Sequence, residues 1–462
     1  MAIQGQNAVQ PVFQQEQEKA VAEETTPVPL DDGYPATDVG VPAMMQLFGL
    51  SVVEITAWGL GYSYGALADY FYNNPPFEGI GYVSAAGMVS NGVLQIVLPF
   101  IIYYLNYFQS HRKATMWLGC IICTVSPIGA AFCKSAPGLL VCLGPLNGIG
   151  SSMLFAPSIA YVGDWFVRRK SGAYGVICGA GGLSGAVLPP IFSVCLERYG
   201  HKATLVGWGI ASFVLTASAL LSIRARTPPP PRSKPSFKDF DFFKNPVAFI
   251  FIACQFIQAT AHYLPSTYLP QIATDYGISA TKAATLTSLI NVATAIGQPL
   301  QGILADYRTS FYIPMLISTA GSCIEAFAIW GNAHVYAPLI IFALLFGATA
   351  GGYSVLRPRF AAFILGDQKD NKEKSLLIFG VLTCFRGVAI LSSGFIADRL
   401  VDENKPVTAS YGSGKWMPVI VFTGVAMFVS SFGALAKFVD PFRSRRHRSE
   451  IVSDSDRSDT QP

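Results

Sequence analysis

The chain has 462 residues, of which 51% are hydrophobic and only 13% are charged. Soluble proteins carry about a quarter charged residues, so this composition argues against an ordinary soluble enzyme or binding protein. The net charge of +4 is small and does not indicate a nucleic-acid partner.

The charges lie in short segments between apolar stretches of about twenty residues, the length that crosses a bilayer as a helix. These stretches lack the in/out alternation of barrel strands. They predict an all-α membrane protein with twelve transmembrane helices in two six-helix halves. The predicted spans are 44–66, 83–104, 114–133, 137–162, 171–194, 203–223, 246–268, 280–305, 311–331, 336–358, 376–398 and 414–437.

The segments outside the spans define the predicted organisation. Residues 1–43 are predicted to be a disordered N-terminal tail without a signal peptide, so that the first span acts as the insertion signal. A linker at 224–245, basic and containing the run Pro-Pro-Pro-Pro, separates the halves 44–223 and 246–437. Residues 438–462 form a basic, serine-containing tail, in which Ser449 follows Arg and His residues and could accept a phosphate.

The halves resemble each other weakly in sequence. A shift of 200 residues aligns identical or similar residues within and just after the second and eighth spans. The aligned pairs are Asn91 with Asn291, Pro99 with Pro299, Asn106 with Asp306, and Tyr107 with Tyr307. Paired halves with a substrate site between them near the midplane are typical of secondary transporters.

The distribution of basic residues predicts the orientation. With the N-terminus inside, 24 Lys and Arg residues lie on the inner side, 7 lie on the outer side, and Arg386 lies within a span. By the positive-inside rule, both termini are predicted to be cytosolic. We expect the plasma membrane, with a vacuolar or other internal membrane as the alternative.

Arg386 is the strongest candidate for a functional residue, because it lies about ten residues from either end of its predicted span. A guanidinium group binds carboxylates through a planar fork, which favours an anion site. The alternative is a structural ion pair with Glu54 or Glu325. Glu54, in the middle of the first span, could instead carry a proton during transport, whereas Glu325 is read as a neutral or paired acid.

Other polar residues within the spans complete the candidate site. His262 is predicted near the outer end of the seventh span and could titrate near neutral pH, although a hydrogen-bonding role is the simpler interpretation. Amide side chains need a partner in the bundle or water in a cavity, so they could either pack helices or bind substrate. The amides assigned to substrate binding are Asn91, Asn147, Gln258, Asn291 and Gln298.

No catalytic, cofactor or metal site is expected. The sequence has no P-loop, and the glycine-rich run at 179–182 lies inside a span rather than after a strand. Cys120 and Cys123 form a C-x-x-C pair, but no second Cys/His cluster accompanies it, so packing is the favoured interpretation.

Two regions resemble the major facilitator superfamily, and more narrowly its monocarboxylate-porter-like branch in fungi. The motifs GIGSSMLFAP (148–157), DWFVRRK (164–170) and GVICGAGGLSG (175–185) resemble its fourth and fifth helices. The segments HYLPSTYLPQIATDYGIS (262–279) and QPLQGILAD (298–306) resemble its seventh and eighth. The resemblance implies a twelve-helix transporter.

The resemblance also implies site residues. Gly302, Asp306 and Arg308 match the superfamily's gating motif on the cytosolic side, whereas the first-half counterpart around Asn106 and Arg112 is degenerate. Proton-coupled members carry an aspartate and an arginine where this chain has Thr294 and Gln298, and their first-helix lysine is missing near Tyr64 and Gly65. Their charged machinery therefore does not transfer to this chain.

We therefore expect a secondary active transporter that works by alternating access on a small organic acid or related metabolite, with proton coupling as an option. The alternatives are an exporter of a fungal secondary metabolite and, from a different class, a non-transporting membrane sensor. The expected partners are a small-molecule substrate and the lipid bilayer, and the protein is expected to be a monomer.

Overall fold

A computed structural model describes residues 34–228, 237–307, 310–366, 371–401 and 411–439. The chain divides into a unit Met1–Ala36 and a unit Thr37–Pro462, and every helix below belongs to the second. The predictions for Arg308, Ser449, most of the proline run and most of both tails fall outside the described residues.

The described residues of the second unit form long helices, and no strand occurs among them. Within the described residues, ten helices are long and apolar enough to cross a membrane. One of them, Lys170–Ser222, has 53 residues and bends at Gly200, whose φ of 75° lies in the left-handed region that glycine tolerates. It therefore contributes two helices, α5 (170–199) and α6 (201–222).

The helix Ala280–Tyr307 is long enough to span but carries Thr, Asn and Gln along its length and is not among those ten. Together these give twelve long helices in the described chain. The others are α1 (Val41–Asn73), α2 (Gly81–Tyr107), α3 (Gln109–Phe132), α4 (Ala136–Trp165), α7 (Pro246–Asp275), α9 (Tyr312–Asn332), α10 (Tyr336–Leu365), α11 (Lys372–Leu400) and α12 (Met417–Val439), with Ala280–Tyr307 as α8.

Several helices contain local irregularities near proline or glycine. In α4, a π-helical turn at Cys142–Leu146 contains Pro145. In α7, the first segment ends at His262 and a second starts at Leu264. Such breaks are tolerated in membrane helices because neighbouring helices can satisfy the freed backbone groups.

Two helix pairs join the first six helices to the last six. In the α5–α8 pair, a Cβ atom added at Gly175 would lie 2.6 Å from the Gln298 carbonyl oxygen, and one at Gly302 would lie 2.3 Å from that of Ser171. In the α2–α11 pair, a Cβ at Gly387 would lie 2.7 Å from the Gly92 carbonyl oxygen. Glycine lets the helix backbones approach this closely.

The two ends of the helix array are called the linker end and the distal end. The linker end is where α6 ends at Ser222 and α7 begins at Pro246, with a short 3₁₀ helix, Phe237–Lys244, just before α7. The distal end is where α1 ends at Asn73 and α7 ends at Asp275.

Candidate functional site

Arg386 lies in the middle of α11 and is only 4% exposed. Its guanidinium donates to the Gln258 side-chain oxygen at 3.1 Å and to the Tyr263 hydroxyl at 3.4 Å. It also lies 5.3 Å from the centre of the Tyr263 ring. Within the described chain, no carboxylate forms an ion pair with this arginine.

The two acids considered as partners of Arg386 are bound elsewhere. One oxygen of Glu54 accepts the indole N–H of Trp58 at 2.8 Å. Glu325 accepts the Thr349 hydroxyl at 2.9 Å. The predicted alternative of a structural ion pair with either acid is therefore wrong.

A second buried arginine, Arg357, lies at the junction of two segments of α10 and is 4% exposed. It donates to the Ser354 carbonyl oxygen at 2.8 Å and to the Thr383 hydroxyl at 2.6 Å. Its guanidinium lies 5.8 Å from the centre of the Tyr174 ring and 5.2 Å from that of Phe379. Among the described residues it too has no acidic partner.

Arg357 was not predicted as a site residue. It lies one residue before the end of the predicted span 336–358 and was counted with the basic residues of the inner side. The helix instead continues to Leu365 and buries Arg357. The signal available in the sequence was its place within a predicted span, where a charged residue is a candidate for function.

Glu54 is completely buried in α1, and its second oxygen has no hydrogen bond in the described structure. It interacts electrostatically with Tyr174 and Cys178 of α5. Tyr174 in turn lies beside Arg357. A carboxyl of the first half and a guanidinium of the second half therefore meet around one tyrosine of α5.

Tyr62 of α1 approaches Arg386 from the first half. It interacts electrostatically with Tyr263 and with Arg386. Its ring stacks on Trp58 at a centroid distance of 5.4 Å, and Trp58 meets Phe155 edge-on at 5.6 Å. Tyr62 and Tyr263 therefore lie beside the arginine, and Trp58 and Phe155 extend the aromatic contacts from Tyr62.

His262 was predicted near the outer end of its span, but it lies near the middle of α7. It is the last residue of the first segment, and after a break at Tyr263 the helix continues to Asp275. Its ring contacts Tyr263 and Phe346, and its Nδ1 atom is buried without a hydrogen-bond partner among the described residues. The histidine is therefore half-buried, with its Nδ1 atom turned away from solvent.

Among the predicted amides, Gln258 is part of the arginine site, because it accepts from Arg386 and donates to the Ala350 carbonyl at 3.1 Å. Gln298 donates to Gly351 at 3.3 Å and to the Ser354 hydroxyl at 3.2 Å. Since Ser354 also binds Arg357, this amide belongs to the second arginine's network.

The other three amides lie apart from the arginines. Asn291 of α8 donates to the Gly185 carbonyl of α5 at 2.9 Å and so links the two halves. Asn147 donates to the Ser90 hydroxyl at 2.9 Å. Asn91 packs against α1, where a Cβ atom at Gly61 would lie 2.2 Å from its side-chain oxygen.

The residues of the predicted gating motif lie at the linker end. The Asp306 carboxylate accepts the backbone N–H groups of Ser171 at 3.1 Å and Gly172 at 2.5 Å, in the first turn of α5. It also pairs with Arg359 of α10 at 3.0 Å. Gly302, one turn earlier, packs on the backbone of the same α5 turn. Asp306 therefore joins the halves.

The corresponding position in the first half makes a different contact. Asn106 donates to the Glu373 carbonyl oxygen in the first turn of α11 at 3.0 Å, and Gln109 donates to the Glu373 carboxylate at 3.0 Å. Arg112 pairs within its own half with Asp164 at 2.8 Å. The motif is degenerate in sequence, but its position still joins α2 to α11.

Comparison with known proteins places this arrangement in a family. The chain matches the model of the Major Facilitator Superfamily over residues 39–355. It is 25% identical to the MFS-type transporter pynF of Aspergillus niger over 85% of this chain and 88% of that protein. It is 22% identical to the aspyridones efflux protein apdF of Emericella nidulans, over 87% and 80% respectively. It is also 22% identical to monocarboxylate transporter 4 of Rattus norvegicus, over 78% and 77%.

These matches confirm the predicted superfamily and the all-α membrane fold. They include fungal transporters and a monocarboxylate transporter, in agreement with the resemblance read from the motifs.

Proposed function

The chain belongs to the major facilitator superfamily of membrane transporters, and we propose that it carries a small organic acid by alternating access. The observation that supports this substrate class is Arg386, a buried guanidinium whose described partners are the neutral side chains of Gln258 and Tyr263. In this proposal the substrate's carboxylate supplies the missing negative charge.

The physical argument rests on the energy of a buried charge. A guanidinium keeps its proton under all physiological conditions, so it cannot become neutral when water is removed. Intramembrane charges therefore pair or face a pathway. Arg386 and Arg357 are both buried in the second half without an acid among the described residues, so two cations of this half can attract an anion.

The state of the linker end supports alternating access. Asp306 and Asn106 each bridge the halves there, and α5 packs closely on α8. With both termini cytosolic, as the loop charges predict, this arrangement is closed to the cytosol. Transport in this proposal requires both bridges to break while the substrate remains bound at the centre.

Proton coupling, if present, would use groups that face the same centre. Glu54 has one unbonded buried oxygen, and His262 has one unbonded ring nitrogen, within the described structure. Both remain our candidates for a proton carrier. His262 interacts electrostatically with Arg386 directly, whereas Glu54 is linked to Arg357 through Tyr174.

The test is uptake of labelled mono- and dicarboxylic acids by cells that produce the protein. Arg386→Leu should lower uptake at least about 30-fold, because truncating one member of a buried charge pair costs about 2–5 kcal/mol. Arg386→Lys should recover only part of it, since an ammonium lacks the planar fork.

Arg399→Leu is the matched control, because Arg399 lies on the same helix but is exposed at its distal end. Its uptake should equal that of the wild type. Membrane levels of all variants are measured by surface labelling. Undiminished uptake of organic acids by Arg386→Leu would contradict the anion site.

A second candidate function is export of a secondary metabolite on the same fold. It is favoured by the similarity to the aspyridones efflux protein and by the aromatic groups Trp58, Tyr62 and Phe155 near the arginine, which could bind a larger, less charged molecule. Metabolite profiling inside and outside cells with and without the protein distinguishes the two. Intracellular accumulation of a compound on deletion, with no change in organic-acid uptake, would favour export.

A further inference from the structure

A cavity of about 820 Å³ opens at the linker end, away from Arg386. It lies among the ends of α2, α4 and α6 and the starts of α3, α5 and α11. Its walls are partly apolar, through Ile159, Ile223 and Leu376. This cavity is separate from the proposed substrate site, because Arg386 is not among its lining residues.

The charged lining of the cavity is predominantly positive. It includes five cationic side chains, Arg112, Lys113, Lys170, Arg224 and Lys372, and two carboxylates, Asp164 and Glu373. A cleft lined mainly by one sign of charge concentrates its field inside and attracts the opposite charge.

Some of these charges are already satisfied. Arg112 pairs with Asp164, and the Lys113 ammonium donates to the Ile223 carbonyl oxygen at 3.2 Å. By contrast, the side chains of Lys170, Arg224 and Lys372 form no hydrogen bond or ion pair within the described part of the chain. Three cations therefore remain available to a ligand.

Lys170 and Lys372 come from opposite halves, since they begin α5 and α11. The two ammonium groups are close enough to repel each other electrostatically, and this repulsion exceeds the attraction of Lys170 to Asp164, which is paired with Arg112. Their repulsion opposes closure of the linker end, which brings these helix starts together. An anion between them would convert the repulsion into attraction to a shared group, and helix N-termini favour a nearby anion as well.

We propose that this cavity binds the phosphate group of an anionic phospholipid, which bridges Lys170 and Lys372 and stabilises the closed linker end. A lipid is the source that fits the location, because the cavity lies at helix ends, where headgroups meet the protein, and has apolar walls beside its cations. Basic pockets between membrane helices on the cytosolic side are suited to such headgroups.

The experiment measures the thermal unfolding temperature of the full chain in nanodiscs of phosphatidylcholine containing increasing fractions of phosphatidic acid. The unfolding temperature of the wild type should rise with the phosphatidic acid fraction and reach half of its full increase at a defined fraction, the midpoint. Lys170→Gln and Lys372→Gln should each shift that midpoint about fivefold to higher phosphatidic acid. Lys437→Gln is the matched control, because Lys437 is exposed at the linker end of α12 and does not line the cavity.

A second readout separates binding from a structural role. In phosphatidylcholine alone, Lys170→Gln should not lower the unfolding temperature, because it removes a repulsion. A loss of stability there would overturn the proposal, as would an equal shift of the midpoint by Lys437→Gln or the absence of stabilisation in the wild type. Glycerol phosphate added to phosphatidylcholine discs tests the source, and equal stabilisation by this soluble compound would overturn the lipid assignment.

Discussion

The two junctions that join the halves at the linker end occupy equivalent positions, yet their chemistry differs. At the α5–α8 junction, the Asp306 carboxylate accepts two backbone N–H groups and an arginine. At the α2–α11 junction, 200 residues earlier, the Asn106 amide donates to the Glu373 backbone carbonyl, and Gln109 at the start of α3 donates to the Glu373 carboxylate.

The junctions differ in the strength of their hydrogen bonds as well as in the charge of the side chain that forms them. Hydrogen bonds to an ionised group contribute about 1.5–3 kcal/mol, against about 0.5–1.5 kcal/mol for a neutral bond. A carboxylate at the start of α5 also lies at the positive end of the helix dipole. Two hydrogen bonds to an ionised group cross the α5–α8 junction, whereas one such bond and one neutral bond lie at the other. The comparison therefore indicates that the α5–α8 junction supplies the larger share of the free energy that keeps the linker end closed.

The largest effect is expected from Asp306→Asn. The amide nitrogen would face a backbone N–H, and the ion pair with Arg359 would be lost. A loss of about 1.5–3 kcal/mol would shift the closed-to-open ratio about 10- to 150-fold. Spin labels at the exposed residues Val167 and Tyr307, in a cysteine-free background, should report a longer inter-half distance by electron resonance.

The control for this change lies at the distal end. Asp275 accepts from Lys415 at 3.1 Å and from the Trp416 indole at 2.8 Å. Asp275→Asn removes a similar charge without touching either junction, so it should leave the Val167–Tyr307 distance unchanged. If Asp306→Asn also left that distance unchanged, the assignment of the stronger junction would be wrong.

A somewhat smaller effect is expected from Gly302→Ala, which tests close packing rather than charge. The added methyl would lie 2.3 Å from the Ser171 carbonyl oxygen, so α5 and α8 must separate. Overpacking of this kind destabilises by about 1–3 kcal/mol. Thermal unfolding followed by tryptophan fluorescence should show a lower transition temperature.

Gly207→Ala is the matched control for the glycine change. A Cβ atom there meets nothing within 4 Å, and Gly207 lies in a helix, where alanine is favoured by about 0.5–1 kcal/mol. Its transition temperature should be unchanged or higher. Equal destabilisation by both changes would show that the effect of Gly302→Ala is not specific to the junction.

The sequence predicted the helices well because a span is recorded in a run of consecutive apolar residues. The predicted spans 171–194 and 203–223 correspond to α5 and α6, which meet at the bend at Gly200. Hydropathy was weaker at the ends of the spans, where a helix continues past its apolar run. The helix α10 continues to Leu365, beyond the predicted span 336–358, so Arg357 near the predicted end was counted with the basic residues of the inner side.

The candidate site was predictable only in part. Arg386 was identified because one charge in the middle of an apolar run is conspicuous in the sequence. Its partners were not, since Gln258 lies 128 residues away along the chain and several other amides looked equivalent. Which amide meets the arginine depends on how α7 packs against α11, and a single sequence does not record helix packing.

The contacts at the two junctions were also beyond what the sequence predicts, and they provide the last test. The 200-residue repeat aligned Asn106 with Asp306, but it did not reveal that one donates where the other accepts. Asn106→Ala should remove one neutral bond to the Glu373 carbonyl and weaken closure by about 0.5–1.5 kcal/mol, the smallest effect of the three. The same electron-resonance distance measures it.

Combining Asn106→Ala with Asp306→Asn shows whether the junctions act independently. Changes at well-separated sites without shared partners add within about 0.5 kcal/mol. Additivity in the closed-to-open free energy is expected, because Asn106 contacts α11 whereas Asp306 contacts α5 and α10. A double variant no more open than Asp306→Asn alone would instead mean that the α2–α11 bond forms only after the α5–α8 junction has closed. The Asn106 bond would then follow closure rather than contribute to it.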